Sequence, residues 1–298
     1  MACNYPVRAY RTKAGIVFDQ KAGRDIIENL NLPCGQCLGC KLEKSRQWAM
    51  RCYHEASLYE QNCFITLTYN DANIPDLGSL DYEAFQKFMK RLRKRYTGKK
   101  IRFYMAGEYG DEKDRPHYHA CLFNHDFEDK VYFRTTKAGS KIYTSKILDR
   151  LWPYGFNTIG EVTFESAAYV ARYIMKKVQG NPQHANYQTI DKETGEVLYR
   201  DKEFTHMSLK SGIGQGWYEK WKTDVFPEDI VVIKGVACKP PKYYYAKLKK
   251  ENPEMHEEIA FNRSEKAREK CADNTEERRL VKEKVLSAKL TLLKRELK

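Results

Sequence analysis

Two histidines one residue apart, His117 and His119, are the sharpest chemical signal in the chain. On a strand, residues i and i+2 project from the same face, so both imidazoles can reach one cation. Glu108 stands upstream on the other arm of an expected hairpin, where its carboxylate can be a third ligand. Two imidazoles and one carboxylate suit a divalent ion with positions left open for a phosphate oxygen. The competing reading is a pair of surface imidazoles beside a solvated carboxylate, and the triplet alone does not separate the two.

A second constellation is Tyr169-Val170-Ala171-Arg172-Tyr173-Ile174-Met175-Lys176-Lys177. Tyrosines four apart lie one above the other on a helix, and Lys176 or Lys177 falls on the same side. A free phenol has a pKa of about 10, so it needs help to act as a nucleophile near neutrality. A metal that polarises a phosphate, with a lysine beside the developing charge, supplies that help. Taken alone, the same pattern is an amphipathic core helix with tyrosine walls and a lysine rim.

Cys34, Cys37 and Cys40 are spaced to wrap a zinc ion, and a closed structural site needs a fourth ligand. Cys3 is the natural fourth, ahead of Cys52 and His54. Such a zinc would staple the N-terminal segment and take no part in catalysis. The alternative is three reduced thiols in a loop. Cys63, Cys121, Cys238 and Cys271 read as buried or incidental, and His125, His184, His206 and His256 as surface or structural residues.

The elements that must position these groups follow from periodicity. Cys63 to Tyr69 is short, β-branched and aromatic, hence a strand; Asn70 to Gly78 is a turn-rich loop. A helix is expected over Tyr82 to Tyr96, with Asp81 as N-cap and Phe85, Phe88, Met89, Leu92 and Tyr96 as its apolar stripe. Lys87, Lys90, Arg91, Lys94 and Arg95 fall mostly outside that stripe, on a solvated face that DNA can also use. Ile101 to Tyr109 and His117 to Phe123 read as a hairpin, Ser145 to Trp152 as a short helix, Phe156 to Thr163 as a strand and Glu165 to Val178 as a helix. This order predicts an α+β domain with an antiparallel sheet and helices largely to one side. Before it, Lys41 to Tyr59 is a helix with Trp48, Cys52 and Ala56 on one face. After it, Tyr187 to Arg200 reads as a hairpin around Glu193-Thr194-Gly195. A terminal helix is expected from Asn274, as a capping-box start with Glu277, through Leu286, Leu290, Leu293 and Leu297.

Fifty-three Lys and Arg against 40 Asp and Glu leave a net charge of +13, which favours an anionic partner. With 21 tyrosines, the chain suits single-stranded nucleic acid, whose phosphates take the charge and whose bases stack on rings. No apolar run reaches membrane-spanning length and no secretory signal opens the chain, so a cytosolic protein with reduced thiols is expected. No G-x-x-x-x-G-K-[ST] motif is present, so strand separation is left to a partner.

His-x-His on a strand followed by Tyr-x-x-x-Tyr-x-x-Lys on a helix resembles the HUH endonucleases, the rolling-circle replication initiators and their relatives. Phe64-Ile65-Thr66-Leu67-Thr68 resembles the first motif strand of that superfamily, and Gly107-Glu108-Tyr109-Gly110 with Arg115-Pro116-His117-Tyr118-His119 resembles its metal hairpin. Pro33 to Cys40 and Ser211-Gly212-Ile213-Gly214 look like segments of microvirus initiators of the gokushovirus kind. The resemblance spans roughly residues 1 to 220. It implies an α+β core with an antiparallel sheet and flanking helices (61–180), preceded by a cysteine-rich segment (1–60) and followed by an extension (181–245) and a charged helical tail (246–298). It also implies tyrosine transesterification of single-stranded origin DNA through a 5′-phosphotyrosine link. In that reaction Tyr169 and Tyr173 are nucleophiles, Lys176 an electrostatic helper, and Glu108, His117 and His119 hold Mg2+ or Mn2+. A host helicase and polymerase are the implied partners, in the cytoplasm of a bacterial host. The rival reading is a non-catalytic, zinc-stapled protein that binds single-stranded nucleic acid.

Overall fold

The computed structural model describes residues 3–19, 25–110, 114–136, 138–176, 187–190 and 194–292, with the side chains of 172–176, 189 and 292 outside that description. Its centre is set by two strands with little polar alternation, β5 (Arg102–Tyr109) and β6 (Pro116–Phe123), which are buried almost throughout. A strand that is apolar on both faces must be covered on both. β5 and β6 therefore sit inside an antiparallel sheet of seven strands, with order β12-β5-β6-β4-β9-β8-β7. The other members are β4 (Asn62–Tyr69), β7 (Val131–Thr135), β8 (Lys141–Thr144), β9 (Gly155–Gly160) and β12 (Phe204–Met207).

Helices cover both faces, where the sequence order suggested one. On the first face, Ile65, Leu67, Met105, Tyr118 and Leu122 pack with Phe85, Phe88 and Leu92 of α2 (Tyr82–Arg95) and Leu148 of α3 (Lys146–Leu151). On the second, Phe64, Tyr104, Ala106 and Cys121 pack with Ala49 and Cys52 of α1 (Leu38–Ala56) and with Ala167, Val170 and Ala171 of α4 (Phe164–Lys176). Asp81 caps α2 as expected, its carboxylate accepting from the Glu83 N–H at 2.8 Å. The basic residues Lys87, Lys90, Lys94 and Arg95 lie exposed on its far side.

Gly155 marks the point where β9 meets the end of β4. A Cβ there would lie 2.3 Å from the Asn70 nitrogen and 2.4 Å from the Thr68 oxygen, so only glycine lets the two backbones approach. Residues on the two sides of Tyr187–Arg200 do pair, as β10 (Gln188–Ile190) with β11 (Val197–Tyr199). Glu193 lies outside the described residues, while Gly195 takes a φ of +72° in the turn.

The chain divides into two compact units, residues 1–44 with 249–294, and residues 45–248. The first holds a three-stranded sheet that periodicity did not reveal, β1 (Val7–Thr12), β2 (Gly15–Val17) and β3 (Ile26–Leu32), in the order β2-β1-β3. It also holds α7 (Pro253–Glu269) and α8 (Glu276–Leu292). The cap of α8 is Thr275, whose hydroxyl accepts from the Arg278 N–H, because a 3-10 turn over Ala272–Asn274 takes Asn274 out of cap position. Leu286 and Leu290 are half-buried on α8; Leu293 and Leu297 lie outside the described residues. The second unit adds α5 (Gln215–Val225), the hairpin β13 (Val231–Ile233) with β14 (Val236–Cys238), and most of α6 (Lys242–Glu251) to the seven-stranded sheet. Among the described residues, no helix is long and apolar enough to cross a membrane.

Candidate active site

Strand register assembles the first cluster. Glu108 of β5 lies directly opposite His117 of β6, and His119 lies between Ala106 of β5 and Thr66 of β4. Tyr118, between the two histidines, turns to the other face, where its hydroxyl donates to the Asp81 carbonyl at 2.6 Å and accepts from the Asp81 N–H at 3.0 Å. That anchor fixes which face the imidazoles occupy, since a one-residue slip would exchange them with Tyr118.

Glu108 Oε1 lies 2.7 Å from His117 Nε2 and 2.9 Å from His119 Nε2. The three ligand atoms are all within 4.8 Å of one another. His117 Nδ1 is 3.0 Å from the Arg115 carbonyl, which accepts only, so Nδ1 carries a proton. In neutral His117 the Nε2 lone pair then faces a carboxylate oxygen. Two acceptors at this distance repel unless a positive charge stands between them, as a proton or as a metal ion. Thr66 Oγ1 holds His119 Nδ1 at 2.9 Å and directs its Nε2 to the same oxygen. Burial raises the Glu108 carboxyl, but the hydrogen bonds with His117 and His119 outweigh it and hold the group below the usual carboxylate range. The donor set and its orientation fit a divalent cation.

Tyr169 reaches this cluster from α4, which packs on β5, β6 and β12. Thr163 and Ser166 start the helix reciprocally, Ser166 N–H donating to Thr163 Oγ1 at 3.1 Å and Thr163 N–H to Ser166 Oγ at 2.8 Å. The Tyr169 ring meets His119 edge-on, with centroids 5.1 Å apart. A cleft of about 340 Å3 opens beside it, bordered by Gly160, Ile142, Lys141 and Thr163. Tyr173 and Lys176 follow on the same helix backbone, but their side chains lie outside the described residues, as does Lys177.

The four cysteines named from spacing converge in the first unit, their sulfurs all within 4.8 Å of one another. Backbone N–H groups point at the sulfurs: Cys34 to Cys3 at 3.2 Å, Cys37 to Cys34 at 3.3 Å and Asn4 to Cys37 at 3.3 Å. Burial raises the Cys37 thiol, yet the N–H groups of Asn4 and Cys40 more than offset this and bring it down to about 6. Burial raises Cys3 and Cys40. Four sulfurs with one already a ready thiolate can hold a soft metal ion. Cys52 and His54 are excluded as ligands by their surroundings. Cys52 is in the core behind the sheet, and His54 stacks on Trp217 with its Nδ1 2.9 Å from the Tyr244 hydroxyl.

Of the remaining cysteines, Cys63 and Cys121 are buried and Cys271 is exposed. His125 packs between Tyr96 and Phe127, and His206 stacks on Tyr82. His184 lies outside the described residues. Sequence reasoning missed Thr66 and the Arg115 carbonyl as the groups that orient the imidazoles. It also missed the buried ion pair of Arg102 with Glu55, at 2.9 Å.

Residues 62–178 match the family model of replication-associated proteins of the ORF2 type. The chain is 33% identical over 263 residues to replication-associated protein VP4 of Bdellovibrio phage phiMH2K, spanning 85% of this chain and 79% of that protein. It is 32% identical over 298 residues to replication-associated protein ORF2 of Spiroplasma virus 4, covering 92% of this chain and 88% of the relative. With replication-associated protein ORF4 of Chlamydia phage 1 the identity is 36% over 154 residues, 49% of this chain and 38% of that one. No solved structure matches the chain significantly.

Proposed function

From the premise that this chain belongs to the family of phage replication-associated proteins of the ORF2 type, we propose that it initiates rolling-circle replication as an HUH-type endonuclease, by cutting and rejoining single-stranded origin DNA. The observation that carries this reading is the convergence of Glu108, His117 and His119 on one point with the Tyr169 ring set edge-on against His119. A binding protein has no need of a carboxylate oxygen aimed at two imidazole nitrogens.

In this reading the scissile phosphate lies against the three ligand residues, and the strand enters through the cleft beside Tyr169. A magnesium or manganese ion held by Glu108, His117 and His119 would polarise that phosphate. Thr66 and the Arg115 carbonyl hold the imidazoles so that Nε2 of each faces inward. The phenolic oxygen of Tyr169 or Tyr173 attacks phosphorus, the bond from phosphorus to the 3′ oxygen breaks, and the phenolic proton ends on the departing 3′ oxygen. The products are a 5′-phosphotyrosine and a free 3′-hydroxyl that a host polymerase extends, on template opened by a host helicase. Attack by a later 3′-hydroxyl on the phosphotyrosine closes a circle and regenerates the phenol, so joining needs no nucleotide. Lys176 stabilises the charge that develops during attack. Residues 61–180 form the nicking core in this scheme, 181–245 its extension, and the reaction runs in the host cytoplasm. The four cysteines bind a structural zinc that holds the N-terminal segment.

The test is incubation with labelled single-stranded origin DNA and Mg2+ or Mn2+, followed by denaturing electrophoresis. A metal-dependent covalent adduct is expected, retained by Tyr169→Phe or Tyr173→Phe singly and lost in the double variant. Tight DNA binding with no adduct under either metal would leave the non-catalytic reading in its place.

A further inference from the structure

Pairing register carries the candidate site two strands further than its ligands. Glu108 pairs with His117, His117 with Thr68, and Thr68 with Phe156, so these four form one row across β5, β6, β4 and β9. The adjoining row runs Ala106, His119, Thr66, Thr158. Directly paired residues project from the same face, which places Phe156 on the face of the imidazoles. The alternation of β9 agrees, since Asn157 and Ile159 are buried toward the other face. Strands are spaced about 4.8 Å apart, so Phe156 stands about 10 Å from His117.

Phe156 is 70% exposed. A single exposed ring is ordinary on a protein surface; what sets this one apart is its company. Between it and the imidazoles lie Thr66, Thr68 and Thr158, all half-buried, and beyond Glu108 the two rows contain no acid. The surface that leads away from the ligands is therefore a strip of hydroxyls ending in an aromatic face. Hydroxyls donate to phosphate oxygens, and an open ring offers any unpaired base a surface to stack on. A duplex could not use the ring, because its bases are already stacked.

We propose that Phe156 is a stacking platform for a base of single-stranded DNA, holding a nucleotide that neighbours the one whose phosphate meets Glu108, His117 and His119, with Thr68 and Thr158 donating to the intervening backbone. This rests on the cutting reading for the position of the phosphate. Phe156 is a positioning residue and touches none of the reacting atoms.

The experiment uses the full chain and a set of fluorescent single-stranded origin oligonucleotides, each with one abasic position. For the intact oligonucleotide, Phe156→Ala and Phe156→Leu should weaken binding about 5- to 150-fold, the usual worth of one base on one ring, while Phe156→Trp retains it. One abasic position should weaken the unaltered protein by a similar factor and Phe156→Ala by nothing further. Equal losses in both proteins at every abasic position, or binding by Phe156→Ala equal to that of the unaltered protein, overturns the proposal. Adduct formation at saturating DNA is scored in parallel. Abasic coupling without an adduct supports the platform and refutes the cutting mechanism; an adduct without coupling does the reverse. Circular dichroism of the variants confirms folding.

Discussion

Replacing Thr66 by valine removes one oxygen and keeps a β-branched side chain of nearly the same shape on β4. The oxygen lost is the partner of His119 Nδ1 at 2.9 Å. With it present, the ring is held with Nδ1–H toward Thr66 and the Nε2 lone pair toward Glu108. Without it, the buried Nδ1–H is left unsatisfied, and the ring gains by exchanging tautomer so that Nε2–H bonds Glu108 Oε1. That tautomer cannot ligate a metal through Nε2. The cost of leaving such a group unmade is about 1–3 kcal/mol, and loss of an outer hydrogen bond to a metal-bound histidine weakens affinity by about 10- to 100-fold. The two figures agree, since a factor of ten is about 1.4 kcal/mol. Thr66→Val should therefore bind Mn2+ about 10- to 100-fold more weakly in calorimetry or by the quenching of its free-ion paramagnetic resonance signal. Adduct formation should fall at low Mn2+ and recover at saturating Mn2+. Thr66→Ser should stay within a few-fold of the unaltered protein. An unchanged Mn2+ affinity in Thr66→Val would refute the assignment of the hydroxyl as the group that sets the tautomer.

The ion pair of Arg102 and Glu55 is nearly inaccessible to solvent on both sides, and Glu55 also accepts from the Gly214 N–H at 2.7 Å. Arg102→Met strands a buried carboxylate and should cost about 3–5 kcal/mol in urea unfolding, much of it returned in the double variant with Glu55→Gln; a loss below about 1 kcal/mol would show that the pair is solvated. Burial lowers His54 to about 3 from an ordinary 6.5. The unfolded chain therefore takes up this proton first, and the stability that neutral His54 contributes is complete above about pH 6.5 and declines as pH falls toward 3. Relative to His54→Phe, stability should drop by about 1.4 kcal/mol per pH unit between about 6 and 5; parallel profiles would contradict the burial. Zinc released on thiol modification should amount to one ion per chain by colorimetric chelation, and should be lost in Cys37→Ser but kept in Cys271→Ser. Retention of the ion in Cys37→Ser would remove that cysteine from the ligand set.

The chemistry was legible in the sequence because its spacing is local. His117 and His119 need only a strand to share a face, and Tyr169 with Tyr173 need only a helix. What brings the two together is non-local, and no window of sequence contains it. Thr66 becomes a partner of His119 only once β4 is known to pair with β6, and Phe156 joins the row only through the second edge of β4. The two-faced core is written in the unbroken apolar run of β5, against the half-buried pattern that antiparallel sheets more often show. β7 has a strand-like sequence, Val131-Tyr132-Phe133-Arg134-Thr135, but its full exposure and its bulge leave no alternation to reveal it. The β1–β3 sheet escapes for a related reason, with Ala9 its only buried residue. Thr275 displaces Asn274 as a cap through a local turn that pattern alone does not rank.

That N-terminal sheet poses a question of chain statistics. Three strands that bury one alanine between them have almost no transfer energy with which to oppose the entropy of ordering some two dozen residues. The cysteine cluster answers from the other side of the equilibrium. Cys3 and Cys34 are 31 residues apart and enclose the whole sheet. Tying their sulfurs to one ion makes that stretch a ring, and a cross-link of this span removes roughly 3–4 kcal/mol of freedom from the disordered chain. The sheet is then held less by what it buries than by what its unfolded form is denied. In polymer terms it is a tethered loop whose order is borrowed from its closure, and removing the ion should dissolve the sheet while the seven-stranded core stays folded.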